Sequence, residues 1–550
     1  MAIALAASGC ATGDEIGHDP GLPSDEPTGS TPSGGGSEGG NAAGGGVPGG
    51  TTSGTAGTGP GTSSSSGAAA GSGGGGSAST AAVEVQLAPA EGIGGPERVS
   101  FAVPLPAGLL ADAAKVRITH EGTELAAARR ALASWLDGSV RSVHLQLDLD
   151  ITAATSVTVE VGVEPSTEEI AFVPVESTLV VPDGTEGPRV WALLPAPWLA
   201  ASGFAGPLDT EAEHDGTALG AWQSVCDYDL YDVDAFLASK DNGSVWLFDR
   251  GTVLYRGYAR RGDLGTLSSA YRETAIYRAE LSGEGSSLTI GVPGKASDLK
   301  YYYTQNMALH YLVTGDDRFR ESAERVAERM SEMWTPVYSP SLVLDGTERW
   351  TERHAGFYLL GQIWAEAISD DLQATFATRA DEAVQAYAFM QASFPTDYDD
   401  PSARCFAHNA ADHAEPFGYV GCSPWMSAIL ADALDGYTRQ REGAAKEAAR
   451  DALVKLGRMV AKEGRNVDGK PFYWMGVAAA SDEIDPDNEH WGESAYIVAL
   501  AWHHDGKQDA ELAQVAGDLV AGFDQLGEAP HMRSFNWQCR SAVATPSLLQ

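Results

Sequence analysis

"RWTERHAGFYLLG", residues 349–361, sets two arginines, a glutamate, a tryptophan and a histidine into six positions, ahead of an apolar helical run. These residue types suit one kind of chemistry. A guanidinium neutralises a carboxylate, an imidazole moves a proton, and an indole packs against a ring. The same mixture recurs at the starts of other apolar helical segments and in the long connections between them. On that pattern the candidate catalytic residues are Tyr302, Arg353, His354, His408 and Asn409. The candidate binding residues are Trp246, Arg250, Tyr301, Trp350, Glu352, His413, Trp425, His490 and Trp491. Asp249, Lys300, Asn306, Asp412, Tyr473 and Glu493 complete the set.

Aromatic, basic and acidic groups converging on one mouth form a carbohydrate site: rings stack on sugars and a few polar groups fix orientation. Two reactions fit. In β-elimination on a uronic-acid polymer, Arg353 and Asn409 would neutralise the carboxylate, His354 or His408 would take the adjacent proton, and Tyr302 would protonate the departing oxygen. In hydrolysis, two carboxylates are needed, and Glu352 with Glu489 or Glu493, or Asp412, would supply them. A surface protein that binds glycans without catalysis is the third reading. Each residue also has a plainer role. Thr351 serves as a helix cap and Asp249 and Glu352 complement helix dipoles, and Tyr301 to Tyr303 cannot all face one side of a helix.

The elements that must position these residues follow from periodicity. From about residue 240, segments apolar nearly all round alternate with amphipathic, charged ones such as "DRFRESAERVAERMSEMW". Tight breaks at Gly262-Asp263, Gly315-Asp316 and Asp370-Asp371 are 53 and 55 residues apart. A helical hairpin repeating at that period stacks into pairs. The all-apolar helices must be buried, which predicts an (α/α) toroid of about five to six hairpins over residues 240–545. Residues 81–180 instead alternate apolar and polar, as in "AVEVQLAP" and "SVTVEVGVEP". That predicts a small N-terminal β-barrel or sandwich domain, with 181–239 as a connecting segment.

Two stretches of the β region, "RVSFAVPLPAGLL" and "ASWLDGSVRSVHLQLDLD", carry a resemblance. They resemble the N-terminal RIFT-type barrel of the exo-acting rhamnogalacturonan lyase family, where a "GxPLPxG" strand precedes a "W-x-DGSVRW" hairpin. Ala102-Val103 stands where that family prefers Gly-Val, and Ser142 replaces the second tryptophan. The resemblance implies a polysaccharide lyase, but no catalytic set of that family aligns onto these positions. Trp135 with Asp137-Gly138 reads as a turn and core anchor.

"MAIALAASGC" places small residues before Cys10, as in a bacterial lipoprotein signal. Residues 11–80, mostly Gly, Ser, Thr and Ala, have too few apolar side chains to offset ordering entropy and read as a disordered tether. The chain is therefore expected to be exported and lipid-anchored through Cys10. Cys226, Cys405, Cys422 and Cys539 then remain, an even number suited to disulfides. Cys405 and Cys422 share a loop; Cys226 and Cys539 would join the two ends of the helical region or stay as buried thiols. Removing the tether's six acids from the net charge of −39 leaves −33 on the rest, which argues against a nucleic-acid partner. The expected partner is an acidic polysaccharide held by locally gathered cations. No cofactor is expected. Calcium is left open by the acidic loops "DYDLYDVD" (227–234) and "DEIDPDN" (482–488), neither of which has EF-hand spacing.

Overall fold

A computed structural model describes residues 80–180, 187–217, 219–220, 222, 225–336, 350–396, 398–409, 420–475, 483–484, 490–523 and 531–550. Cys10, the tether up to residue 79, Asp412, His413 and Glu489 lie outside the described residues. An N-terminal β region is followed by a helical region, and both belong to one compact unit beginning at Ala78.

The strands of the β region are β1 (Ala81–Pro89), β2 (Gly95–Pro104), β3 (Val116–His120), β4 (Thr123–Glu124), β5 (Ala127–Ser134), β6 (Val140–Ile151), β7 (Thr155–Val161) and β8 (Val190–Leu193). They form two antiparallel sheets, ordered β4-β3-β7-β1-β8 and β2-β6-β5. Val83, Val85 and Leu87 of β1 are buried while Glu84 and Gln86 between them are exposed, the period-2 alternation of a half-buried strand. The segment 181–239 does more than connect. Its β8, "VWAL", is apolar enough to extend the first sheet beside β1.

The β5–β6 hairpin serves as the joint between the two regions. Trp135 donates its indole N–H to Leu105 O at 2.8 Å, and the Arg141 guanidinium lies 4.5 Å from the Trp135 ring and 5.0 Å from that of Trp364. Ser142 donates to the carbonyl of Leu312 at 2.6 Å.

The helices are α1 (Ala196–Ser202), α2 (Val233–Ser239), α3 (Arg250–Arg261), α4 (Leu264–Ala279), α5 (Gln305–Thr314), α6 (Asp317–Met333), α7 (Glu352–Ile368), α8 (Gln373–Ser393), α9 (Pro424–Thr438), α10 (Gly443–Glu463), α11 (Trp491–His504), α12 (Ala510–Phe523), α13 (Met532–Ser541) and α14 (Thr545–Leu549). The Gly-Asp breaks work as a two-part device. Gly262 and Gly315 end α3 and α5 in the left-handed conformation, and Asp263 and Asp316 then cap α4 and α6 by accepting from Thr266 N at 2.9 Å and Arg318 N at 3.1 Å. Every residue of α7 is buried, whereas α6 buries Phe319, Ser322, Ala323, Val326, Ala327 and Met330 on one face. Helices α3, α5, α7, α9, α11 and α13 each pack on the next, and α13 packs again on α3, so the contacts close. Helices α4, α6, α8, α10 and α12 pack against that circuit. Among the described residues, no helix is long and apolar enough to cross a membrane.

Disulfides join Cys226 to Cys539 and Cys405 to Cys422. The first ties the chain before α2 to α13. It closes a loop with a sequence separation of 313, for which the chain-entropy estimate is about 6 kcal/mol.

Gly315 also carries the joint between the regions. Its φ is +72°, and a Cβ there would fall on the imidazole of His144 in β6. That ring is buried and held by Ser100 Oγ at 2.9 Å and Arg130 Nε at 3.1 Å, so it cannot give way. Gly315→Ala is expected to cost about 2–4 kcal/mol, from left-handed strain plus overpacking. A denaturant midpoint equal to wild type would show that the joint yields.

Candidate functional site

Position N-cap of α7 is Thr351, whose Oγ1 accepts from His354 N at 3.3 Å and lies 2.6 Å from His354 Nδ1. The other ring nitrogen of His354 is 3.6 Å from Asp298 Oδ1, and the ring stacks on Trp334, with 5.9 Å between centroids and 15° between planes. Asp298 also pairs with Lys300 at 3.1 Å. Burial pushes the Asp298 carboxyl up, but the His354 hydrogen bond and the Lys300 charge outweigh it and hold the carboxyl well below the usual range.

Glu352, at the first position of α7, is fully buried and used on both oxygens. Oε1 accepts from Ser423 N at 2.8 Å, and Oε2 lies 2.5 Å from His408 Nδ1. The Cys405–Cys422 bond frames this contact. His408 pairs its backbone with Gly421, beside Cys422, by bonds of 2.7 and 3.2 Å, and its ring stands edge-on to Trp474 at 4.7 Å. Asn409 N donates to Trp350 O at 2.9 Å, so the 408–409 segment runs alongside the start of α7.

Arg353 points to a third environment. Its guanidinium lies 5.9 Å from the Trp425 ring, on α9. Trp425 stacks on His490 (4.5 Å, 4°) and lies 5.6 Å from Tyr473 and 5.7 Å from Trp537, over which Arg533 sits at 5.2 Å. His490 Nδ1 is 3.8 Å from the buried Glu493. Tyr301 joins the two cationic sides. Lys300 Nζ is 6.0 Å from its ring, and its hydroxyl is pushed up to about 12 by burial and by Asp298, while Arg353 and Arg533 pull the other way. Solvent reaches this group at Tyr473 and Arg533, which are half-buried, and at His531, which is exposed.

The structure therefore divides the residues picked out by spacing. Arg353, Tyr301, Trp425 and His490 come together, with His354 and the Glu352–His408 pair on either side of Arg353 in the chain. Others are committed to architecture. Arg250 is paired with Glu273 at 2.5 and 2.7 Å and with the carbonyls of Tyr231 and Asp232. Trp246 donates to Lys240 O at 2.8 Å and packs on Phe236. Tyr302 donates its hydroxyl to Ala296 O at 2.7 Å, so its proton is held by a backbone carbonyl. Trp350 packs among Trp334, Tyr387 and Phe406, and Trp491 fills the space that a side chain at Gly522 of α12 would need. Asp249 caps α3 through Thr252.

Asp298, Ser423, Arg533, Trp537 and Trp334 belong to the site although spacing did not single them out. Arg533 and Trp537 lie on α13, whose "MRSFNWQCRS" shows no long apolar run. The acidic loop at 227–234 is used by turns and ion pairs: Asp227 Oδ1 accepts from Leu230 N, Asp232 caps α2, and Asp229 and Asp234 pair with Arg261 and Arg272. No family model matches the chain, and no curated protein matches it.

Proposed function

We propose that this chain is a carbohydrate-active protein that cleaves a uronic-acid-containing polysaccharide by β-elimination, with its helices arranged as an (α/α) toroid. The closed circuit of six helices supports the architecture. The observation that carries the activity is the gathering of Arg353 and Arg533 near Tyr301 in a chain of net charge −39, with Lys300, paired to Asp298, beside the same ring. Cations concentrated where the rest of the protein is acidic select an anionic ligand and neutralise the carboxylate that acidifies the neighbouring C–H.

Arg353 and Arg533 take the carboxylate, with Asn409 nearby in the chain fold. His354 or His408 removes the proton; the second has its tautomer set by Glu352. Tyr301 replaces Tyr302 as the acid for the departing oxygen, because the Tyr302 hydroxyl is already donated to Ala296 O; the Tyr301 hydroxyl, pushed up to about 12, holds its proton at neutral pH. Hydrolysis by a carboxylate pair is less well supported, since both oxygens of Glu352 are already bonded. The two disulfides and the Gly/Ser stretch before residue 80 favour an exported protein, tethered through Cys10. The β region is read as the RIFT-type barrel that its hairpin motif resembles.

The test is to incubate the full chain with polyuronates and neutral glycans and follow short-wavelength ultraviolet absorbance and reducing ends. Elimination gives both signals on a polyuronate. Reducing ends without absorbance would mean hydrolysis, and retardation in a polysaccharide gel with neither signal would mean binding alone; either result overturns the lyase reading.

A further inference from the structure

At the other end of α7 from Arg353, the turn into α8 brings three carboxylates together. Glu324 of α6, Asp370 and Asp371 each place an oxygen within 4.8 Å of the others. Asp370 and Asp371 are exposed, whereas Glu324 retains only 9% of its accessible surface. Its Oε1 is wholly buried and has no hydrogen-bond partner. A buried carboxylate oxygen left without a donor carries a desolvation cost that a protein ordinarily offsets. Arg320 pairs with Asp370 and, at 3.8 Å, with Glu321, so its single charge does not neutralise the cluster.

We infer that Glu324, Asp370 and Asp371 form a binding site for a hard divalent cation of the calcium class, which staples α6 to the α7–α8 turn. The ligand chemistry is all oxygen, the donors come from a helix and a turn, and two of the three face solvent. Such a set supplies part of an irregular shell that water completes, which calcium tolerates. The buried oxygen of Glu324 then gains the partner it lacks. The site lies away from the mouth and does not depend on the proposed reaction.

Isothermal titration of the metal-stripped full chain with calcium, paired with thermal unfolding, tests the proposal. The expected result is a one-to-one binding step and a midpoint several degrees higher in saturating calcium. Both should be lost in Glu324→Gln and weakened at least tenfold in Asp371→Asn, an exposed change that leaves folding intact. No heat and no shift in the wild-type chain would overturn the site, as would binding that both variants retain unchanged.

Discussion

Asp432→Asn is expected to lower the unfolding free energy by about 3–5 kcal/mol, because it leaves two buried arginines without their shared counter-charge. Asp432 of α9 accepts from Arg256 of α3 at 2.8 and 3.1 Å, from Arg540 of α13 at 2.5 Å and from the Tyr496 hydroxyl of α11 at 3.3 Å. Arg540 in turn donates to Gln305 at the start of α5 and lies 5.7 Å from the Phe357 ring of α7. The carboxylate thus bonds α3, α11 and α13 to its own α9, and Arg540 carries the link on to α5 by a hydrogen bond and to α7 by a ring contact. None of these groups is more than 4% exposed, so solvent cannot replace the lost charge.

The pH dependence has a definite sign. Burial pushes the Asp432 carboxyl up, but Arg256 and Arg540 outweigh it and hold it well below the usual range. A depressed carboxyl adds stability above the unfolded value of about 3.9 and loses it as the pH falls further. The gap between wild type and Asp432→Asn should be constant from about pH 5 to 8 and shrink below about pH 4. Urea unfolding at three pH values checks both parts. A gap under 1 kcal/mol at neutral pH would mean that the two arginines find other partners.

Arg353→Gln is expected to lower kcat/KM on a polyuronate by about 10²–10³-fold, the cost of removing one preorganised charge from a developing anion. Arg353→Lys should recover only part of this, since an ammonium lacks the planar fork that a carboxylate matches. The measurement is the initial rate of absorbance increase, with circular dichroism to establish that each variant is folded. A folded Arg353→Gln chain as active as wild type would remove Arg353 from the chemistry, whatever the role of Arg533.

Much of this molecule is legible in local sequence because its signals are local. Gly262-Asp263 and Gly315-Asp316 end one helix and cap the next through backbone conformation and a bond spanning two or three residues. Whether a segment is apolar all round, like α7, or on one stripe, like α6, also follows from period alone. The candidate site was legible in part. Arg353, Tyr301, Trp425 and His490 stand at starts of apolar segments, and pairing by period brings those starts to one end.

What only the tertiary structure decided is which direction each of these side chains takes and which partner it meets. Arg353 and His354 are about 100° apart on one helix, so neighbours in sequence enter different environments. His354 meets Asp298, from a segment before α5, and Arg353 meets Trp425 on α9. Arg250 and Tyr302 looked equally suited to chemistry, yet an acid on α4 takes the first and a backbone carbonyl the second. Composition and spacing report that a charged or hydroxyl group exists near a helix start. Its energy depends on partners brought in from distant parts of the chain, and in "RWTERHAGFYLLG" those partners sort a cap, a buried acid, a guanidinium and an imidazole into four separate roles.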